Sequence, residues 1–340
     1  MEQKTSASWG QQLNIKSSRS PFESPLPPTL TAFKDVIPVS FQRLHIAGIL
    51  LTVYGLDELS SSRDNVACIW LLHGRNDSQD SMGFVAAALL NAWNGHRGRN
   101  GRGLICICFD QRNHGSRLID IKANDSWKAG NPHHAVDMWT LFSGTAQDVS
   151  LLITHLPTYL SFTPSMHICS GVSLGGHATW QALLKDPRIN AALIVVGCAD
   201  YVRLMTDRAI RSKLESCMNT VPVARNFLGS KDFPQSLIEE VERSDPSGVF
   251  LGELDTVTGD DHLHPPSKAE ISRLNPLIEQ KLAAAIDKEH GWCKDQGISL
   301  TDVVDPEGGH EFSIAMRREA EQWLCRLLSE SGQGSRGSKM

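Results

Sequence analysis

Ile168-Cys169-Ser170-Gly171-Val172-Ser173-Leu174-Gly175-Gly176-His177 runs from an aliphatic, strand-like stretch through a glycine-bracketed serine into a segment of helical periodicity. A serine hydroxyl is a weak nucleophile unless its oxygen is held clear of the backbone and next to a base, and a sharp strand-to-helix turn does this. The flanking glycines suit such a turn, because neighbouring backbone comes too close to leave room for a Cβ. The helix expected from Leu174 onward aims its free N–H groups at the same spot. G-x-S-x-G also arises by chance, and a glycine-rich turn after a strand is its structural reading. The preceding strand, the following helix and a position past mid-chain favour Ser173 as the nucleophile.

Three other segments supply what a nucleophilic serine needs. Ile69-Trp70-Leu71-Leu72-His73-Gly74-Arg75-Asn76 is a second buried-type strand ending in a glycine turn before a helix. The backbone N–H groups of Arg75 and Leu174 are therefore the expected oxyanion donors. His73 is expected to shape that loop by hydrogen bonding and not to act as the base. Asp305-Pro306-Glu307-Gly308-Gly309-His310-Glu311-Phe312 lies between a late strand and the last helix, where a base can reach the edge of a sheet. Among the 13 histidines, His310 has this placement, although a surface histidine is the alternative reading. The orienting acid falls between 249 and 266, where Asp255 follows a short apolar run and Asp261 precedes a loop rich in proline. Either keeps the order serine, acid, histidine, and Asp261 is preferred to Asp255.

Phe109-Asp110-Gln111-Arg112-Asn113-His114-Gly115-Ser116-Arg117 completes the set. Strand-H-G-x, strand-D-x-R-x-H-G, G-x-S-x-G-G and a late G-G-H, in this order over about 66–328, together resemble the α/β-hydrolase superfamily. Intracellular fungal-type members, some of specialised (secondary) metabolism, are the nearest in character. The resemblance implies a serine esterase or thioesterase with a catalytic triad, a nucleophile elbow and an oxyanion hole. It assigns Asp110 and Arg112 to bracing the floor of the site. The trailing part of the family's G-x-x-D-x-x-V-P acid pattern matches Asp261 with Leu263 and Pro265, and the leading part matches Gly252 to Asp255. The strand between them is short and broken, a departure that leaves the acid open. A peptidase or amidase of the same fold is the alternative chemistry, disfavoured because no propeller-like repeat precedes the motifs. A non-catalytic binding member is the alternative without chemistry.

The rest of the chain fits an α/β fold. Apolar runs of strand length fall at 41–54 (a pair), 66–73, 104–110, 166–173, 191–198, 249–257 and 298–304. Helical stretches at 80–93, 135–156, 174–184, 268–290 and 311–328 alternate with them. The expectation is a mostly parallel eight-stranded sheet with helices on both faces and a small helical insertion at about 200–247, either covering the sheet edge or lying on the surface. Residues 36–328 form the catalytic domain in this reading, preceded by a flexible arm (1–35) and followed by a disordered tail (329–340). With 340 residues and a formal charge of -5 there is no basic field to attract nucleic acid or anionic membrane. A small-molecule substrate is the expected partner, with monomer or homodimer left open. No apolar run is long enough for a secretory signal or a membrane span, so a cytoplasmic location is expected. The 8 cysteines are scattered and read as reduced, buried apolar groups. Neither they nor His133-His134 or His262-x-His264 form a ligand set at metal spacing, and no cofactor or metal is expected.

Overall fold

The computed structural model describes residues 20–60, 63–98, 100–247, 305 and 309–330. The expected strands at 249–257 and 298–304, the helix at 268–290 and both candidate acids lie outside the described residues.

The sheet begins with a hairpin. β1 (Phe41–Ile46) and β2 (Ile49–Tyr54) pair antiparallel with Ile46 opposite Ile49. Ala47 and Gly48 turn the chain with φ of 51° and 82°, as a two-residue turn compatible with strand twist demands. β3 (Val66–Leu72), β4 (Gly103–Phe109), β5 (Met166–Val172) and β6 (Ile189–Val195) then build, among the described residues, a six-stranded sheet in the order β1-β2-β4-β3-β5-β6. β4 meets β2 antiparallel, and the remaining pairs are parallel. Every residue of β3 and β5 is buried, which explains their unbroken apolar composition: such strands have helices on both faces.

Those helices divide the core in two. α2 (His134–Leu160) and α3 (Leu174–Lys185) cover one face. Met138, Leu141, Phe142, Val149, Leu152, Ile153 and Leu156, one stripe in the sequence, are all buried. α2 continues a turn past the expected end through Pro157, until Ser161 adopts φ 60° and its N–H bonds back to the Pro157 carbonyl (3.1 Å), an αL cap. The other face carries α1 (Met82–Gly95) and the last described helix. The chain passes from β3 to β4 on one side and then back to β5 on the other, so the order reverses beside β3. Open parallel sheets bind ligands at the carboxyl ends of strands flanking such a reversal.

The expected insertion is helical, with α4 (Tyr201–Arg211), α5 (Glu215–Met218) and α6 (Gln235–Ser244). It packs on α2 through Tyr201, whose ring lies 5.0 Å from that of Trp139 and whose hydroxyl donates to the Ala135 carbonyl at 2.6 Å.

Residues 20–35, read from the sequence as part of a flexible arm, pack on the second face of the sheet. Leu30 and Phe33 are fully buried, because a proline-rich segment makes short 3-10 turns without needing long ladders of backbone bonds. Phe33 meets Phe312 edge-on at 5.0 Å, the Thr29 carbonyl accepts from the Phe312 N–H at 2.8 Å, and the Arg317 guanidinium lies 5.1 Å over the Phe33 ring. α7 (Ile314–Glu330) starts later than periodicity suggests for the same reason. Phe312 is engaged by the arm, and Ser313 caps the helix by accepting from the Met316 N–H at 3.3 Å.

Truncating Phe33 to alanine removes a buried ring from this junction. Phe33→Ala is expected to cost about 3–5 kcal/mol in denaturant unfolding. An unchanged midpoint would show that the arm does not hold the loop before α7.

Candidate active site

β5 ends at Val172, and Ser173 turns the chain into α3 with φ 56° and ψ −111°, a sparsely populated conformation costing about 1–3 kcal/mol for a residue with a Cβ. Crowding enforces it. A Cβ on Gly171 would lie 2.2 Å from the Gly175 carbonyl carbon, and one on Gly175 would lie 2.1 Å from the Leu72 carbonyl oxygen. Only glycine at both positions lets α3 start directly against the end of β3. The Ser173 N–H bonds the Val195 carbonyl at 2.9 Å, tying the turn to β6.

The loop after β3 lies alongside. A Cβ on Gly74 would sit 4.0 Å from Ser173 Cβ, which brings the segment carrying Arg75 next to Ser173 and to Leu174, the first residue of α3. His73 is fully buried and shapes this loop: its Nδ1 faces the Gly74 carbonyl at 2.7 Å and its Nε2 accepts from the Gln111 N–H at 3.0 Å. Those two contacts assign the ring proton to Nδ1 and occupy both nitrogens.

Beneath it the segment after β4 is braced. Burial alone would raise the Asp110 pKa, but N–H groups of Gln79 and Ser116, each 2.8 Å from its carboxylate, outweigh this and hold it below the usual carboxylate value. Arg112 donates to both Asp148 oxygens at 3.2 and 3.0 Å, and Arg117 adds a contact at 2.9 Å. These contacts hold the D-x-R-x-H-G segment in place.

His310 reaches the same point from the far end of the chain, with Nε2 2.8 Å from Ser173 Oγ. Its loop is held by the Phe312 contacts described above and by a hydrogen bond from Ser313 Oγ to the Asp305 carboxylate. Ser173 is partly exposed and His310 exposed, so a ligand can reach both. Asp261 and Asp255 fall outside the described residues.

Among the described residues, the charges that act on His310 are positive, which no motif announced. Burial first, then the positive charges of Arg208 and Arg75, lower the His310 pKa from its ordinary value of 6.5. Burial likewise takes His134 down to about 4 and His177 to about 3, with Arg208 adding to both. His134 Nε2, neutral, sits 3.1 Å from Arg208 Nη1. Reasoning from sequence assigned Arg75 for its N–H alone and missed Arg208, which is one of three arginines on α4 with nothing in their spacing to single it out. Among the described residues, no three His, Cys, Asp or Glu side chains gather as a metal site, and no helix is long and apolar enough to cross a membrane.

No family model and no curated protein sequence matches the chain. Solved structures similar to it include 2,6-dihydroxy-pseudo-oxynicotine hydrolase (15% identity, 86% of this chain and 69% of that one, TM-score 0.42). Also similar are EstE5, soaked with p-nitrophenyl butyrate (15%, 92% and 94%, 0.41), and the acylaminoacyl peptidase of Pyrococcus horikoshii (12%, 91% and 43%, 0.47). The chain thus spans less than half the length of that peptidase. The reversal of strand order beside β3, the strained serine between β5 and α3, the glycine loop of β3 next to it and a histidine from before the last helix in contact with its hydroxyl together give this chain the α/β-hydrolase fold.

Proposed function

We propose that the protein is a serine hydrolase that cleaves an ester or thioester of a small organic substrate through an acyl-enzyme on Ser173. The 2.8 Å approach of His310 Nε2 to Ser173 Oγ carries this reading. Neutral imidazole accepts the hydroxyl proton at Nε2 as Oγ attacks the substrate carbonyl carbon. The carbonyl oxygen, now an oxyanion, accepts from the Leu174 and Arg75 N–H groups. When the carbon–oxygen or carbon–sulfur bond breaks, the proton passes from Nε2 to the departing alcohol or thiol. Water then attacks the acyl carbon and gives a proton to His310; as the bond from that carbon to Oγ breaks, His310 returns the proton to Oγ, which frees the acid product and restores the Ser173 hydroxyl. In this reading Asp261, in preference to Asp255, accepts from His310 Nδ1–H and stabilises the imidazolium. This reading expects a cytoplasmic location and calls on no cofactor.

A fluorophosphonate probe is expected to label Ser173, as located by mass spectrometry, and labelling of other serines alone would remove the proposal. Ser173→Ala and His310→Ala should each lower p-nitrophenyl ester turnover on the order of 10⁴- to 10⁶-fold. Of the two acids, Asp261→Asn should cost far more kcat than Asp255→Asn. The opposite ranking would transfer the role.

The lowered His310 pKa sets the sign of the pH dependence. Burial and the neighbouring guanidinium charges disfavour the protonated ring, so the base form persists to lower pH than in a free imidazole. Activity is lost as pH falls through the lowered pKa, and the acid limb of kcat/KM is expected to have its midpoint below 6.5. A midpoint above 7 would mean that another group controls the limb.

A further inference from the structure

His310 is exposed on the loop before α7, two residues ahead of Phe312. Two residues of chain span at most about 7 Å, so whatever fixes Phe312 also confines the His310 backbone. Phe312 is buried and is gripped from outside its own loop. Its N–H donates to the Thr29 carbonyl at 2.8 Å, and its ring makes the edge-on contact with Phe33 at 5.0 Å. From α7 the Arg317 guanidinium lies over the far partner of that pair, Phe33, and its Nη1 donates to the Ala32 carbonyl at 2.7 Å.

The segment that makes this grip is itself seated on the sheet and on α1. Phe22 meets Phe84 of α1 edge-on at 5.6 Å and Tyr54 of β2 at 6.2 Å, and Asn91 of α1 donates from Nδ2 to the Ile37 carbonyl at 2.7 Å. Contacts therefore lead from β2 and α1 through residues 22–37 to Phe312. Ser173 is placed by other means, the close approach of Gly175 to the Leu72 carbonyl. The two partners of the 2.8 Å contact are located by separate packing, and their separation depends on both.

We propose that Thr29 and Phe33 are positioning residues for the reaction: through Phe312 they hold His310 Nε2 within bonding distance of Ser173 Oγ. Loosening the grip slows nucleophilic attack and leaves substrate binding nearly unchanged. A misplacement of about 1 Å at a reacting group can cost about 100-fold in rate. The proposal rests on the hydrolase reading for its effect on turnover, and on packing alone for its effect on His310.

The test uses the full chain. In Phe33→Ala, kcat for a p-nitrophenyl ester and the rate of fluorophosphonate labelling at Ser173 should each fall about 10- to 100-fold, with KM within about threefold of wild type. Phe33→Met, which refills the space, should recover most of the loss. Arg317→Met keeps both rings and removes only the outer clamp; it should lower kcat about three- to tenfold, and it gives the reading if the alanine variant does not fold. Leu156→Ala controls for lost stability. That leucine is fully buried but lies near the end of α2, close to where β5 begins and away from the carboxyl ends of the strands, so kcat should stay within about threefold.

The position of His310 is read separately, from its ring resonances in NMR spectra of histidine-labelled protein, identified by their loss in His310→Ala. They should shift or broaden in Phe33→Ala and Arg317→Met and stay in place in Leu156→Ala. Unmoved His310 resonances in the folded Phe33 and Arg317 variants overturn the proposal. So do moved resonances with unchanged kcat and labelling, or a kcat loss in Leu156→Ala equal to that in Phe33→Ala. If the wild-type chain neither turns over esters nor labels at Ser173, the hydrolase reading falls, while the resonances still decide whether Phe33 places His310.

Discussion

Everything at this site depends on the contact between Gly175 and the end of β3. Because no Cβ separates them, α3 begins flush against the Leu72 carbonyl, and the one residue between strand and helix has nowhere to go but φ 56°. The Ser173 side chain is thereby held off the sheet edge, at the start of a helix and beside the loop of β3. A side chain at 171 or 175 would meet backbone at 2.2 or 2.1 Å, so the helix could not keep this place. Ser173, the candidate oxyanion amides and His310 would then no longer share one small volume.

His310 is held by different physics. It sits on a loop between elements, where backbone geometry alone gives little precision. Packing supplies it: Phe312 wedges against Phe33 and lends its N–H to Thr29, so residues 29 and 33 anchor the loop that carries His310. Rigid positioning of a reacting group depends on such neighbours as much as on the group itself.

The charge distribution around the dyad follows from burial. Burial first, and the positive charge of Arg208 next, lower the pKa of His134, His177 and His310, because protonating any of them would add charge where hydration is already poor. Neutrality is what a base needs before it takes a proton from serine.

The chain's linear pattern was enough to determine the α/β alternation, the buried β3, β4 and β5, the stripe on α2, and the pairing of Ser173 with His310, because each rests on local periodicity or on glycines whose need is local. Element ends were displaced by a few residues where a tertiary contact intervened, as at α7, where Phe312 is taken by the arm and Ser313 caps the helix. What only the folded structure decided are the relations between distant segments. The packing of residues 20–35 was illegible because prolines and serines suggest exposure until a partner ring such as Phe312 exists to bury Phe33. Arg208 was illegible because one arginine on an amphipathic helix resembles the next, and its orientation toward His134 is set by how Tyr201 seats α4 on α2. Local sequence encodes conformation through sterics, whereas charge and burial at a site are sums over residues that meet only in three dimensions.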